Sequence, residues 1–100
     1  MREDTIAEVG IDGNGRLYVQ PTSTSFDHIY RAAMEVGWDM SKRRLFSPKP
    51  REWTYLDWFK QIVAAATDEY GTRLRLTPDT VWSDVPPALR AEIASLSGLS

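Results

Sequence analysis

One hundred residues and 11.4 kDa are the size of a single domain spanning 1–100, and 42% hydrophobic with 26% charged residues is a globular composition, not a disordered one. With no cysteine and one histidine, His28, the chain has no disulfide, thiolate metal site, cysteine nucleophile or His-based zinc site, and metal and cofactor sites are expected to be none. The longest strictly apolar run, Ile62 to Ala66, is far too short to cross a bilayer, and no apolar signal segment opens the chain, so a cytoplasmic protein without a membrane role is expected.

The first element reads as a hairpin. Ala7, Val9 and Ile11 alternate with polar residues or glycine, as do Leu17 and Val19 after the turn. A two-residue loop would put Ile11 on the face of Arg16. A three-residue loop of Gly13, Asn14 and Gly15 pairs Ile11 with Leu17 and Val9 with Val19, so all four share one face. Gly15 then supplies the positive φ which that loop needs. The Asp12-x-Asn14 start of a calcium loop leads nowhere, because Ser23 stands where the twelfth-position glutamate belongs.

Pro21 closes the second strand, and a turn cluster at 22–25 leads to a predicted helix with Ser25 or Thr24 as cap. On it Phe26, Ile29, Tyr30, Ala33 and Val36 make one stripe, with His28, Arg31 and Glu35 opposite and Gly37 as the stop. His28 is expected to be an exposed first-turn residue without the partners that catalysis requires. Residues 38–52 read as a loop, since Pro48 and Pro50 forbid a helix, with a short edge strand conceivable at 44–46.

The second predicted helix is the best marked. Thr54 and Asp57 have the spacing of a capping box, and Trp53 and Trp58 that of a hydrophobic staple. Leu56, Phe59, Val63, Ala66 and Tyr70 form one apolar stripe, and Tyr55, Trp58, Ile62 and Ala65 a second, so this helix belongs in the middle of the core. Gly71 ends it. Residues 72–77 alternate as a third strand with Leu74 and Leu76 inward, and Trp82 returns to the core. Pro86 and Pro87 open a last helix with Leu89, Ile93 and Leu96 inward, followed by a frayed tail at 98–100. The expected fold is α+β, in the order ββααβα. A three-stranded, mostly antiparallel sheet packs on the second helix, and the other two helices flank it.

Charge is unevenly placed along the chain. Residues 1–41 carry three basic and seven acidic groups, residues 42–51 carry five basic groups and no acid, and residues 52–100 carry four and seven. Lys42, Arg43, Arg44, Lys49 and Arg51 are bracketed by Trp38 and Trp53, a composition found in interface hot spots. No phosphate-binding glycine loop, nucleophile elbow or His-Glu-x-x-His stands in the sequence, so catalytic residues are expected to be none. The expected function is a non-catalytic module that recognises a protein partner, a second copy included, through these seven residues. Single-stranded nucleic acid or another anion at the same loop is the alternative. A small enzyme with no recognisable motif is a third reading.

The stretch SPKPREWTYLDWFK at 47–60, with IDGNGRL at 11–17, resembles small bacterial accessory proteins, namely products of mobile integron gene cassettes and immunity-type proteins of toxin systems. The resemblance implies a compact α+β domain and a partner-binding role. It brings no catalytic residue, ligand or substrate with it.

Overall fold

The computed structural model describes residues 2–96. In chain order it contains β1 (Arg2–Ile11), β2 (Leu17–Pro21), a 3-10 turn (Ile29–Arg31), β3 (Gly37–Asp39), β4 (Arg44–Phe46), α1 (Tyr55–Tyr70), β5 (Thr72–Arg75), β6 (Val81–Ser83) and α2 (Pro87–Ser95). The frayed tail expected at 98–100 lies outside the described residues.

The hairpin forms in the register that the apolar pattern requires, with Val9 opposite Val19 and Ile11 opposite Leu17. Gly15 sits at φ 77°, and its N–H donates to the Asp12 carbonyl at 3.0 Å. The Asp12 carboxylate takes the N–H groups of Asn14 and Arg16, both at 2.9 Å. The aspartate that superficially suggested a metal loop is therefore the brace of a turn.

β1 begins five residues earlier than the alternation suggested. A bulge between Ile6 and Glu8 changes the parity of the strand, so Ile6 and Val9 are both buried despite their odd spacing. Along its other edge β1 pairs in parallel first with β5 and then with β6. At the gap between them the Thr80 hydroxyl donates to the Ile6 carbonyl at 2.7 Å.

The sheet is thus six-stranded and mixed, in the order β3-β4-β2-β1-β5 with β6 also on β1. This corrects the expected three strands and the order ββααβα. It also divides the expected loop at 38–52, whose 44–46 portion pairs with both β3 and β2 and is an interior strand. Three-residue strands are too short to display a period, and sheet pairing supplies their order instead.

The helix expected after residue 25 is replaced by a series of tight turns. Ile29, Arg31, Ala32 and Val36 donate to the carbonyls of Phe26, His28, Ile29 and Ala33, each three residues back. Phe26, Ile29, Ala33 and Val36 are buried as expected. The 3-4-3 spacing therefore reported burial and not the backbone that achieves it. Phe26 meets Trp38 and Tyr70 edge-on at 5.9 and 4.8 Å, and the Tyr70 hydroxyl accepts the His28 N–H at 2.7 Å. Eleven residues are marginal as a free helix, so these tertiary contacts decide their course.

α1 begins with the complete capping box: the Thr54 hydroxyl accepts the Asp57 N–H at 3.1 Å, and the Asp57 carboxylate accepts the Thr54 N–H at 3.0 Å. Its buried face, Trp58, Phe59, Ile62, Ala65 and Ala66, straddles the two predicted stripes, leaving Leu56 and Val63 half-buried. Ile11, also expected inside, is half-buried too. Leu74, Leu76, Leu89 and Ile93 are buried, and Pro87 opens α2. Phe59 is 0% exposed within the core cluster. Phe59→Ala is expected to cost about 3–5 kcal/mol in urea denaturation, and a loss below about 1 kcal/mol would contradict its central place.

Candidate functional site

Two places on the described surface gather polar and aromatic side chains. The first is the sheet face turned away from α1. Register aligns Gly37, Phe46, Tyr18, Gly10 and Ser83 across five strands. The Tyr18 ring lies over Gly10 and Phe46 over Gly37, so closely that a Cβ on either glycine would fall 2.3–2.4 Å from ring atoms. The Arg44 guanidinium covers Tyr18 at 3.7 Å from the ring centre, and Arg16 covers Phe46 at 4.8 Å. Tyr18 is consequently only 6% exposed on a face that no helix covers. Its hydroxyl donates to the Glu8 carboxylate at 2.6 Å, and Ser83 donates to the same oxygen at 2.5 Å.

Burial works to raise the Glu8 carboxyl, but the hydrogen bonds from Ser83 and Tyr18 and the charge of Arg44 outweigh it, so its pKa lies below 4.5. Burial and the adjacent Glu8 push the Tyr18 hydroxyl up, which keeps it a donor. The Tyr18 and Ser83 hydroxyls and the Glu8 carboxylate are thus partnered with one another.

The second place is a groove of about 580 Å³, a size in the range of ligand sites. Ser47 directs the chain into it. Fully buried at the end of β4, its N–H donates to the Leu17 carbonyl at 2.8 Å and its hydroxyl accepts the Leu17 N–H at 3.2 Å. The irregular residues 48–53 then pass the hairpin turn, where Lys49 methylenes lie 3.5–3.6 Å from the place a Cβ would take on Gly15. Tyr55 fixes the far side by donating to the Gly15 carbonyl at 2.9 Å.

The groove is lined by Lys49, Arg51, Glu52 and Trp53 from residues 48–53 and by Met34 and Glu35 from residues 33–35. Trp58 and Gln61 of α1 complete the lining. Trp53 is 46% exposed and rests on Trp58 at 4.8 Å between ring centres, while Met34 is 91% exposed. The hydrophobic staple thus has a second aspect, an aromatic surface open to solvent. Glu35, Lys49, Arg51 and Glu52 have no ion-pair partner among the described residues.

Of the seven residues singled out in the sequence, the groove brings together Lys49, Arg51 and Trp53. Lys42 and Arg43 stand at the β3–β4 turn, which the Asp39 carboxylate braces through the N–H groups of Ser41 and Lys42, both at 3.0 Å. Arg43 adopts φ 56° and reaches the Ser23 carbonyl at 3.3 Å. Arg44 lies on the open sheet face, and Trp38 packs against the core. Sequence reasoning passed over Met34 and read Glu35 only as part of a solvated helix face. The available signal was a large apolar side chain lying off the predicted stripe. Among the described residues no group of three or more acidic or histidine side chains is arranged to hold a metal, and no helix is long and apolar enough to cross a membrane.

Fold and site together define a small α+β protein with a mixed sheet, one buried helix and an aromatic groove beside the start of that helix. The chain belongs to the integron cassette protein family Hfx_Cass5, whose model matches residues 4–80. It is similar to the solved structure of integron cassette protein Hfx_Cass5 from the mobile metagenome of the North West Arm sewage outfall, at 47% identity over 98% of each chain and a TM-score of 0.49. A search of curated proteins gave no match. Family membership agrees with the resemblance to gene-cassette products carried by residues 11–17 and 47–60.

The Glu8 network has a pH signature. A carboxyl whose folded pKa is lowered stabilises the fold fully above its unfolded value of 4.5 and ceases to do so as pH falls through the lower folded value. Urea midpoints followed from about pH 6 to about pH 3 should fall more steeply for wild type than for Glu8→Gln, the curves converging at the acid end. Parallel curves would remove Glu8 from the stability of this face.

Proposed function

We propose that the chain is a non-catalytic recognition module, adaptor- or immunity-like, that binds a protein partner through the groove between residues 33–35 and 48–53. The observation that carries this reading is the exposed Trp53, stacked on the buried Trp58 with Met34 lining the same groove, and rimmed by two cations and two carboxylates that have no ion-pair partner among the described residues. An aromatic pair in a groove is an anchor site for one bulky apolar side chain, and rim charges of both signs set its register and exclude wrong partners.

A phosphate chain is a poorer occupant. It gains from Lys49 and Arg51 but is repelled by Glu35 and Glu52 at the same rim. The remaining cations of 42–51 stand elsewhere, at the β3–β4 turn and on the sheet face.

Selection from a displayed library of random peptides, with the full chain at nanomolar concentration, tests the reading. Enriched sequences should share an aromatic or large aliphatic anchor flanked by charges of both signs. Trp53→Ala should weaken their binding by about tenfold or more, as truncation of an anchor does, while Lys42→Ala with Arg43→Ala leaves it unchanged. Absence of enrichment, or binding that ignores Trp53, would overturn it. Salt-sensitive tryptophan quenching by a mixed single-stranded oligonucleotide, with a log–log slope no steeper than about −3.5, would transfer the role to nucleic acid.

A further inference from the structure

The groove and its most exposed side chain adjoin each other. Met34 lines the groove at 91% exposure, so its own chain does not cover it, and the half-exposed Trp53, stacked on Trp58, lines the same groove. A knob and a hole on a single patch can both be satisfied by an isologous partner, because a two-fold axis between them makes the two contacts at once.

We infer that the partner at this groove is a second copy of the chain, docked about a two-fold axis that seats Met34 of each copy on the exposed Trp53 of the other. The inference rests on the proposed reading of the groove as a protein-docking site.

Charge supports this occupant. Glu35 follows Met34 in the chain, Lys49 and Arg51 precede Trp53, and all of them line the groove. A two-fold rotation that carries Met34 over the tryptophans carries Glu35 over the cations of the other copy, and the reciprocal pair forms by symmetry. With Glu52 included, the patch holds two positive and two negative groups, so identical patches meet without net repulsion.

Apolar surface is concentrated here as well. Of the five large hydrophobic side chains exposed among the described residues, Trp53 and Met34 line the groove and Tyr30 lies on the 3-10 turn leading to residues 33–35. A dimer of standard size takes about 800 Å² per copy. That is near one seventh of the 5766 Å² surface. A thioether against indole rings is a favourable contact that tolerates imperfect fit.

Sedimentation of the full chain from low micromolar to about 0.5 mM, where all but the weakest specific dimers populate, tests the inference. The expected result is a reversible dimer of twice 11.4 kDa. Met34→Glu should raise its Kd by about tenfold or more, with the thermal midpoint unchanged because the side chain is exposed. Glu35→Arg and Arg51→Glu should each weaken the dimer, and the two together should restore it, since each then meets an opposite charge across the axis. A chain that stays monomeric, a dimer indifferent to Met34→Glu, or a double variant as weak as the singles would overturn the proposal. If the monomeric chain still selects peptides in a Trp53-dependent way, only the second copy is lost. If that selection fails too, the groove reading falls with it.

Discussion

The ten-residue strand β1 holds a partner along one edge and two in succession along the other, so its register fixes the positions of four other strands directly or at one remove. That register is set locally, by a three-residue turn in which Gly15 takes positive φ and Asp12 gathers two N–H groups. A slip of one residue would put Val9 on the face of Tyr18 and Val19 on the opposite face, so one strand would turn its apolar residues out of the core. The bulge after Ile6 is the necessary complement. It lets the first half of β1 keep Ile6 inside with β5, while the second half keeps Val9 inside with β2 and β6. The change of parity interrupts the ladder at Ile6, and Thr80, from the segment that joins β5 to β6, supplies the hydrogen bond there.

Elements with a local cause were legible in the sequence. The hairpin turn, the Thr54–Asp57 box, the Trp53–Trp58 staple and the proline start of α2 each depend on residues within five positions of one another. The elements that were not legible are made by distant partners. β3 and β6 are strands because β4 and β1 offer them backbone groups, and three residues cannot announce that alone. Residues 26–36 bury the side chains that a helix would bury, but Tyr70, forty-two residues past His28, captures the backbone in turns.

The site divides along the same line. The basic run at 42–51 looked like one unit because sequence distance was the only distance available. The strand β4 runs through it and separates its ends: the β3–β4 turn reaches Ser23, past the end of β2, while Lys49 reaches Gly15, before its start. Arg44 falls on the sheet face away from the core because its neighbour Leu45 is buried, and adjacent strand residues point to opposite faces. The aromatic Trp53 was found through this run. Met34 was not, although its place off the apolar stripe of residues 26–36 already marked a large apolar side chain turned to water.

The two polar surfaces differ in what water already does for them. On the sheet face the arginines cover the rings and the Glu8 carboxylate has two donors, so a visiting molecule would break contacts to make others. Little net free energy is available from such an exchange. In the groove, Trp53 and Met34 present apolar area to water and four charges have no ion-pair partner among the described residues. Covering that area gains about 25 cal/mol for each Å² removed from water. The charges, still solvated at the rim, lose little until a complementary group reaches them and then add selectivity. A face finished by its own chain favours the fold, and an unfinished groove beside a rigid helix start favours association. The buried Ser47 and the capped first turn of α1 hold that groove open at no expense to the core.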